Sequence, residues 1–303
     1  MTFESMKTLI IHHDADFDGL LSKEVCLFFQ PKEDDVTCIG WDYGKPVPTA
    51  SSYDRILMVD ISINSLMSMR NLIWIDHHKT AIQKYSPTIP GYRIDGVAAC
   101  RLCWQWFTGD KVAGLPVLEE YVCRKVTEPM LLTLAGEHDI WDHRDARTLP
   151  LQDGLRQLEP SEWNDLVLSQ FNNGPSCEMR LDECVRIGTR AMKARARANE
   201  GIMSKRAHDI VWHGYRWLCC NGVNGSQSFA SAVLPQHEGL LAWVYDGQTR
   251  KVTVSLYHSP EHHNLDFSDI AKEFGGGGHA GACGFQIELE NFIDIIEPLV
   301  EVR

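Results

Sequence analysis

The 303-residue chain has no apolar run of about 18 residues or more, the length that a membrane-crossing helix requires. Its opening, Met1-Thr2-Phe3-Glu4-Ser5-Met6, has neither a basic start nor a cleavable apolar stretch, so a cytoplasmic protein is expected. Positive charge is scarce: 29 Lys and Arg against 41 Asp and Glu leave a formal net charge of −12. Coating long duplex nucleic acid needs many cations on phosphates, so that class is excluded; a short anionic ligand held by a few groups or by metal ions is not. There is no Gly-Lys-Ser/Thr and hence no triphosphate P-loop. There is no internal repeat, and no low-complexity stretch beyond the four glycines at 275–278. The ten cysteines are scattered. Cys100-x-x-Cys103 has no second pair at zinc spacing, so ordinary thiols are expected.

With 44% apolar residues the chain can bury a sizeable core. Short, nearly continuous apolar runs recur at Thr8–Ile11, Val36–Ile39, Arg55–Val59 and Leu72–Ile75, with helical spacing between them. Runs without polar alternation are strands buried on both faces, which predicts an α/β fold: an N-terminal open, mostly parallel sheet with helices on both faces. Residues 97 to 145 read mostly as helix, and residues 176 to about 207 as one long helix. Short strands follow at Tyr215–Cys219, Leu240–Tyr245, Val252–Tyr257 and Phe285–Ile287. The expected division is a catalytic domain over 1–175, a linker helix over 176–210 and a smaller C-terminal α/β domain over 211–303. Arg186, Arg190, Lys193 and Arg197 share one face of the linker helix, either to steer anionic substrate or as a solvated face.

Acidic and imidazole residues stand where the apolar runs end. His12, Asp16 and Asp18 follow the first, Asp60 the third, and Asp76-His77-His78 the fourth; Asp139, in a helical stretch, could complete the set. Parallel strands bring their carboxyl ends to one edge of the sheet, where α/β proteins bind ligands. Crowded carboxylates raise each other's pKa unless a cation compensates. One aspartate at a strand end is commonly a helix cap. The whole series fits a site for two metal ions, and mixed imidazole and carboxylate donors suit Mn, Fe or Zn better than Ca.

The ordered set resembles the DHH phosphoesterase family. Asp76-His77-His78 is the motif that gives the family its name, His12-x-x-x-Asp16-x-Asp18-Gly19 is similar to its first motif, Val59-Asp60 to its second, and His138-Asp139-Ile140-Trp141 to its fourth. Gly275-Gly276-Gly277-Gly278-His279 is similar to the glycine-rich signature of the DHH-associated C-terminal domain. The resemblance implies that His12, Asp16, Asp18, Asp60, His77 and Asp139 ligate two divalent ions, usually Mn2+ with Mg2+, Co2+ or Fe2+ as alternatives, Asp60 bridging them. It implies that Asp76 holds the imidazole of His77 and that His78 stands beside the scissile phosphate as donor or general acid. His13 and Asp14 enter the site only if the register shifts, and Asp142 competes with Asp139.

The glycine run, Gly276, Gly277, Gly278 and His279, would hold the end of a short nucleotide chain through backbone N–H groups, helped by a following helix start. Where many members carry a phosphate-binding arginine, this chain has Tyr257 and His258, so a base could stack on Tyr257 instead. The expected function is hydrolysis of short single-stranded oligonucleotides, as in the oligoribonuclease (nanoRNase) branch, by attack of a hydroxide bridging two ions on phosphorus. Alternatives are a cyclic or linear dinucleotide phosphodiesterase, a 3′-phosphoadenosine phosphatase, and a non-catalytic metal-dependent nucleotide-binding module. A family-like inorganic pyrophosphatase is disfavoured by the nucleotide-type glycine run. A homodimer fits the family; no membrane partner is expected.

Overall fold

A computed structural model describes residues 5–109, 127–222 and 235–296. The chain divides into two compact units, Met1–Thr189 and Arg190–Arg303. The division falls inside the long helix Cys177–Arg206.

The first unit is built on four parallel strands: β1 (Lys7–His13), β2 (Asp35–Trp41), β3 (Arg55–Val59) and β4 (Leu72–Ile75), in the order β2-β1-β3-β4. The expected strands are present, but β1 runs two residues beyond Ile11, so both His12 and His13 belong to it. Successive side chains point to opposite faces. Ile10, Leu57, Val59 and Ile75 face a core shared with Leu21 and Val25 of helix α1 (Phe17–Phe28), and with Leu102, Leu131 and Leu132. Those last residues belong to α3 (Ala99–Thr108) and α4 (Met130–Asp139). The part of the 97–145 stretch at 110–126 lies outside the described residues. Helices α5 (Thr148–Leu155), α6 (Pro160–Phe171) and the start of α7 (Cys177–Arg206) complete this layer, with Leu151, Leu166 and Leu181 buried in it.

Leu9, Ile11, Ile56, Met58, Leu72 and Trp74 face the other way. That face is covered mainly by connecting segments and the short helix α2 (Lys79–Lys84), so the expected second helical layer is thin. Because β1 lies between β2 and β3, the connections leave it in opposite directions, and a crevice opens at the carboxyl ends of β1 and β3. His13 and Asp60 occupy those two ends.

The second unit is a six-stranded sheet of β5 (His208–Trp212), β6 (Tyr215–Asn221), β7 (Gly239–Asp246), β8 (Lys251–His258), β9 (Gly277–His279) and β10 (Ala282–Glu288), in the order β5-β6-β7-β8-β10-β9. Only β6 and β7 run parallel. Val252, Val254, Leu256, Cys283 and Phe285 pack on one face with Phe267, Ile270 and Phe292, which belong to or flank α8 (Ser268–Glu273) and α9 (Leu289–Ile296). Among the described residues every cysteine is a free thiol, and Cys100 and Cys103 are buried in the first unit's core. No helix among them is long and apolar enough to cross a membrane.

Candidate metal centre

Each acidic residue of the cluster is fixed by the end of a regular element. Asp16 is the N-cap of α1; its Oδ1 accepts from Gly19 N at 2.9 Å and its Oδ2 lies 2.8 Å from His13 Nδ1. Asp18, 2% exposed, caps a different helix: its two oxygens accept from Ala99 N and Cys100 N, each at 2.7 Å, at the start of α3, which has no side-chain cap of its own. Asp60 follows β3 with φ 59°, in the left-handed region that aspartate tolerates at some cost. Asp139 is the last residue of α4. A carboxylate at a helix C-terminus is disfavoured by the macrodipole, which argues for a compensating cation nearby.

These residues converge. His77 Nε2 lies 3.1 Å from Asp139 Oδ2, 3.3 Å from Asp60 Oδ1 and 3.6 Å from Asp18 Oδ2. His13 Nδ1 lies 3.4 Å from Asp60 Oδ2, and its Nε2 3.6 Å from Asp42 Oδ1. Three overlapping sets, Asp18/His77/Asp139, His13/Asp16/Asp60 and Asp60/His77/His78, each bring ligand-capable atoms within 4.8 Å of one another. Asp60 and His77 belong to two sets apiece, so Asp60 is placed where a bridging carboxylate would stand.

Two expectations are corrected. His12 joins none of the sets; it shares the strand face of Ile10, and its Nδ1 donates to the His13 carbonyl at 2.8 Å. His13 takes the position expected of it. Asp76 does not hold His77. Its Oδ1 accepts from the backbone N of His77 at 2.7 Å and of His78 at 3.0 Å, and from His78 Nδ1 at 2.7 Å, while Trp74 Nε1 donates to its Oδ2 at 3.1 Å. The tight turn at the end of β4 thus folds the His78 ring onto Asp76. Asp14 is drawn away to Lys45, and Asp142 to Arg144 at 2.8 Å, so neither competes for the centre.

Asp42 was not singled out in the sequence, although it too directly follows a strand, β2. Gly19 explains its own place: a Cβ there would lie 2.1 Å from the His13 carbonyl oxygen. Gly19→Ala is therefore expected to cost on the order of 1–3 kcal/mol by pushing α1 off β1. It should lower the melting temperature; a variant that melts with the wild type would contradict this packing.

The electrostatics of the cluster fit a cation-binding site. Asp60 is 1% exposed, and neither of its oxygens, nor Asp139 Oδ2, makes a directed hydrogen bond. Burial, then the charge of Asp18, pushes both carboxyls well above the usual range. Contacts with the carboxylates of Asp16, at 2.8 Å, and Asp60, at 3.4 Å, push the His13 imidazole up to about 11. Hydrogen bonding to Asp76 also raises His78. The buried oxygens that make no directed hydrogen bond and the imidazole–carboxylate donor set fit divalent metal ions.

In the second unit the glycine run takes an unexpected form. It follows α8 instead of preceding a helix: Gly275, at φ 76°, donates to Lys272 O and Gly276 to Ala271 O, both at 2.9 Å, closing the helix as a C-cap. Gly277–His279 then forms the edge strand β9, so no helix N-terminus points at a ligand there. Lys251, Thr253, Ser255 and Tyr257 of β8 share a face and line a groove of about 710 Å³ with Gly275, Gly276 and Gly277. His258 points to the opposite face, and neither it, Gly278 nor His279 lines the groove.

No protein-family model and no curated protein matches the chain. Solved structures do. The pGpG-specific phosphodiesterase PggH from Vibrio cholerae is 14% identical, with a TM-score of 0.52 over 96% of this chain and 97% of that one. The DHH domain of a protein described as a member of a ribosomal-protein family gives 0.54 at 12% identity, over 96% and 85%. RecJ from Thermus thermophilus in complex with Mn2+ gives 0.51 at 15% identity, over 96% of this chain and 51% of that one. The class follows: a two-unit α/β protein with an aspartate–histidine centre at the carboxyl edge of a parallel sheet. The fold is that of the DHH phosphoesterases.

Proposed function

We propose that this chain is a metal-dependent phosphodiesterase that hydrolyses short single-stranded oligonucleotides. The observation that carries the reading is the convergence of Asp16, Asp18, Asp60, His77 and Asp139, with His13, around buried carboxylate oxygens that make no directed hydrogen bond. His13 replaces His12 in the proposed ligand set. Two divalent ions, Mn2+ first among them, would be held there; when bound they supply Lewis acidity and charge neutralisation at phosphorus. The protein's own groups do the rest. Asp76 fixes the His78 ring through Nδ1, leaving Nε2 to donate to a phosphate oxygen or to the leaving oxygen. In the second unit, Tyr257 offers a stacking surface, and Lys251 on the same groove offers the cation expected from an arginine. The end-to-end likeness to a pGpG-specific phosphodiesterase favours a linear dinucleotide as the shortest substrate.

A screen of labelled di- to hexanucleotides with Mn2+ tests the reading. Hydrolysis to mononucleotides is expected, abolished by His77→Ala; no turnover of any member with Mn2+, Mg2+ or Co2+ would overturn it. Metal removal gives an independent check. Treatment with EDTA should lower the melting temperature, and Mn2+ at a hundred times its Kd should restore about 2.7 kcal/mol. Because His13 must lose its proton to become a ligand, Mn2+ binding should release protons, seen calorimetrically as a dependence on buffer ionisation enthalpy. Binding without proton release would leave His13 outside the ligand set.

A further inference from the structure

A second cavity in the first unit lies against His78, the one residue it shares with the metal-ligand sets. Its volume is about 480 Å³, within the roughly 300–1,000 Å³ of small-molecule sites. We propose that it is a nucleobase subsite, seating one of the two bases that flank the scissile phosphate. The inference rests on the phosphodiesterase reading above and deepens it.

Its walls have the chemistry of base recognition. Trp41, Tyr43 and Tyr85 supply the rings. Trp41 and Tyr43 meet edge to face at 5.5 Å, and Trp41 is 7% exposed whereas Tyr43 is 69% exposed. Folding accounts for the buried tryptophan; the Tyr43 hydroxyl reaches Ser62, and its ring stays open beside Trp41. Tyr85 is anchored edge-on against the buried Trp74 at 5.6 Å, and its hydroxyl donates to Asn64 Oδ1 at 3.3 Å. That bond turns the Asn64 amide nitrogen away as a donor for a base edge. Ser62 and Ser65 add hydroxyls, and Lys84, 4.9 Å from the Tyr85 ring centroid, adds a cation at the wall. A flat heterocycle with acceptors on its edge, attached to a phosphate, matches rings, donors and cation together. An apolar peptide side chain would leave the donors unused.

The wall is also preorganised. Lys45 N donates to Asp42 O at 3.1 Å across a turn whose third residue, Gly44, has φ 93°, the conformation that a type II turn asks of glycine. Trp41 Nε1 donates to Pro46 O at 3.1 Å, tying down the far side of the same loop. Tyr43 is therefore presented by a braced turn, and Asp76 holds His78 at the pocket's edge. A base seated here places its own phosphate towards the metal centre.

The test compares two substrates: a dinucleotide, and methyl p-nitrophenyl phosphate, a diester with no base. Tyr43→Ala should lower the ratio of their kcat/KM values by about 10- to 100-fold, the worth of stacking one base on an aromatic ring, mostly through KM. Tyr43→Phe should restore the ratio. A dinucleotide abasic on one side should show the same deficit with the wild type and no further loss with Tyr43→Ala. An unchanged ratio in Tyr43→Ala overturns the subsite. If the wild type turns over neither substrate, the phosphodiesterase reading fails by itself. Binding of a 2-aminopurine dinucleotide then decides the pocket: quenching with the wild type and not with Tyr43→Ala supports it, and equal or absent quenching rejects it.

Discussion

Asp60→Asn is expected to abolish activity and, at the same time, to stabilise the metal-free protein. Asp60 is buried, accepts no directed hydrogen bond, and is pushed well above the ordinary carboxyl range by burial and by Asp18. A carboxyl whose folded pKa exceeds its unfolded value binds more protons in the native state. Metal-free stability therefore falls as pH rises from the unfolded value near ~4 towards the folded one. Asparagine keeps the shape, removes the charge and should flatten that profile, raising the melting temperature near neutral pH by about 2–4 °C per kcal/mol recovered. Manganese should stabilise the wild type and leave the variant unmoved. Loss of a shared ligand removes several kcal/mol of transition-state stabilisation, on the order of 10³-fold or more in rate. Thermal melts with and without EDTA from pH 4 to 8, alongside turnover, read all of this. If the metal-free variant instead loses about 3–5 kcal/mol, the cost of breaking a buried ion pair, then the contact with His13, and not an ion, satisfies Asp60.

The strands were legible because a parallel sheet buried on both faces writes itself as uninterrupted apolar runs, and Asp60 and Asp76 were legible because they end those runs. His13 was not. The apolar signal stops at Ile11, while the strand continues through two histidines that the alternation sends to opposite faces. Only the pairing of β1 with β2 and β3 shows where that strand ends. Asp18 caps α3, as a lone aspartate near a strand end commonly caps a helix, and it also stands 3.6 Å from His77. The glycine run misled in the other direction, since Gly275 serves a helix C-terminus that only the fold reveals. The aromatic pocket draws Trp41, Asn64 and Tyr85 from three separate segments and carries no local pattern at all.

His78→Ala is expected to lower kcat by about 10²–10⁴-fold, the usual worth of a positioned acid, while leaving Mn2+ stabilisation largely intact. The ring is half-exposed, and Asp76 is the reason it is positioned: the hydrogen bond to Asp76 is the largest cause of its raised pKa. An imidazole with a folded pKa above its unfolded value contributes stability below about 6.5, and that contribution is lost as pH climbs through the folded value. On the proposed general-acid role the same proton would serve the chemistry, so activity should fail on the alkaline side. Asp76→Asn keeps an acceptor for the backbone N–H groups of His77 and His78 but removes the negative charge. The alkaline limb of kcat should then move to lower pH, while Trp74 Nε1 keeps its bond to Ile61 O at 3.1 Å, so the stability cost at that contact should stay within about 1 kcal/mol. A limb that stays in place in Asp76→Asn, with kcat reduced, would assign His78 to orientation of the phosphate and take the acid role away from it.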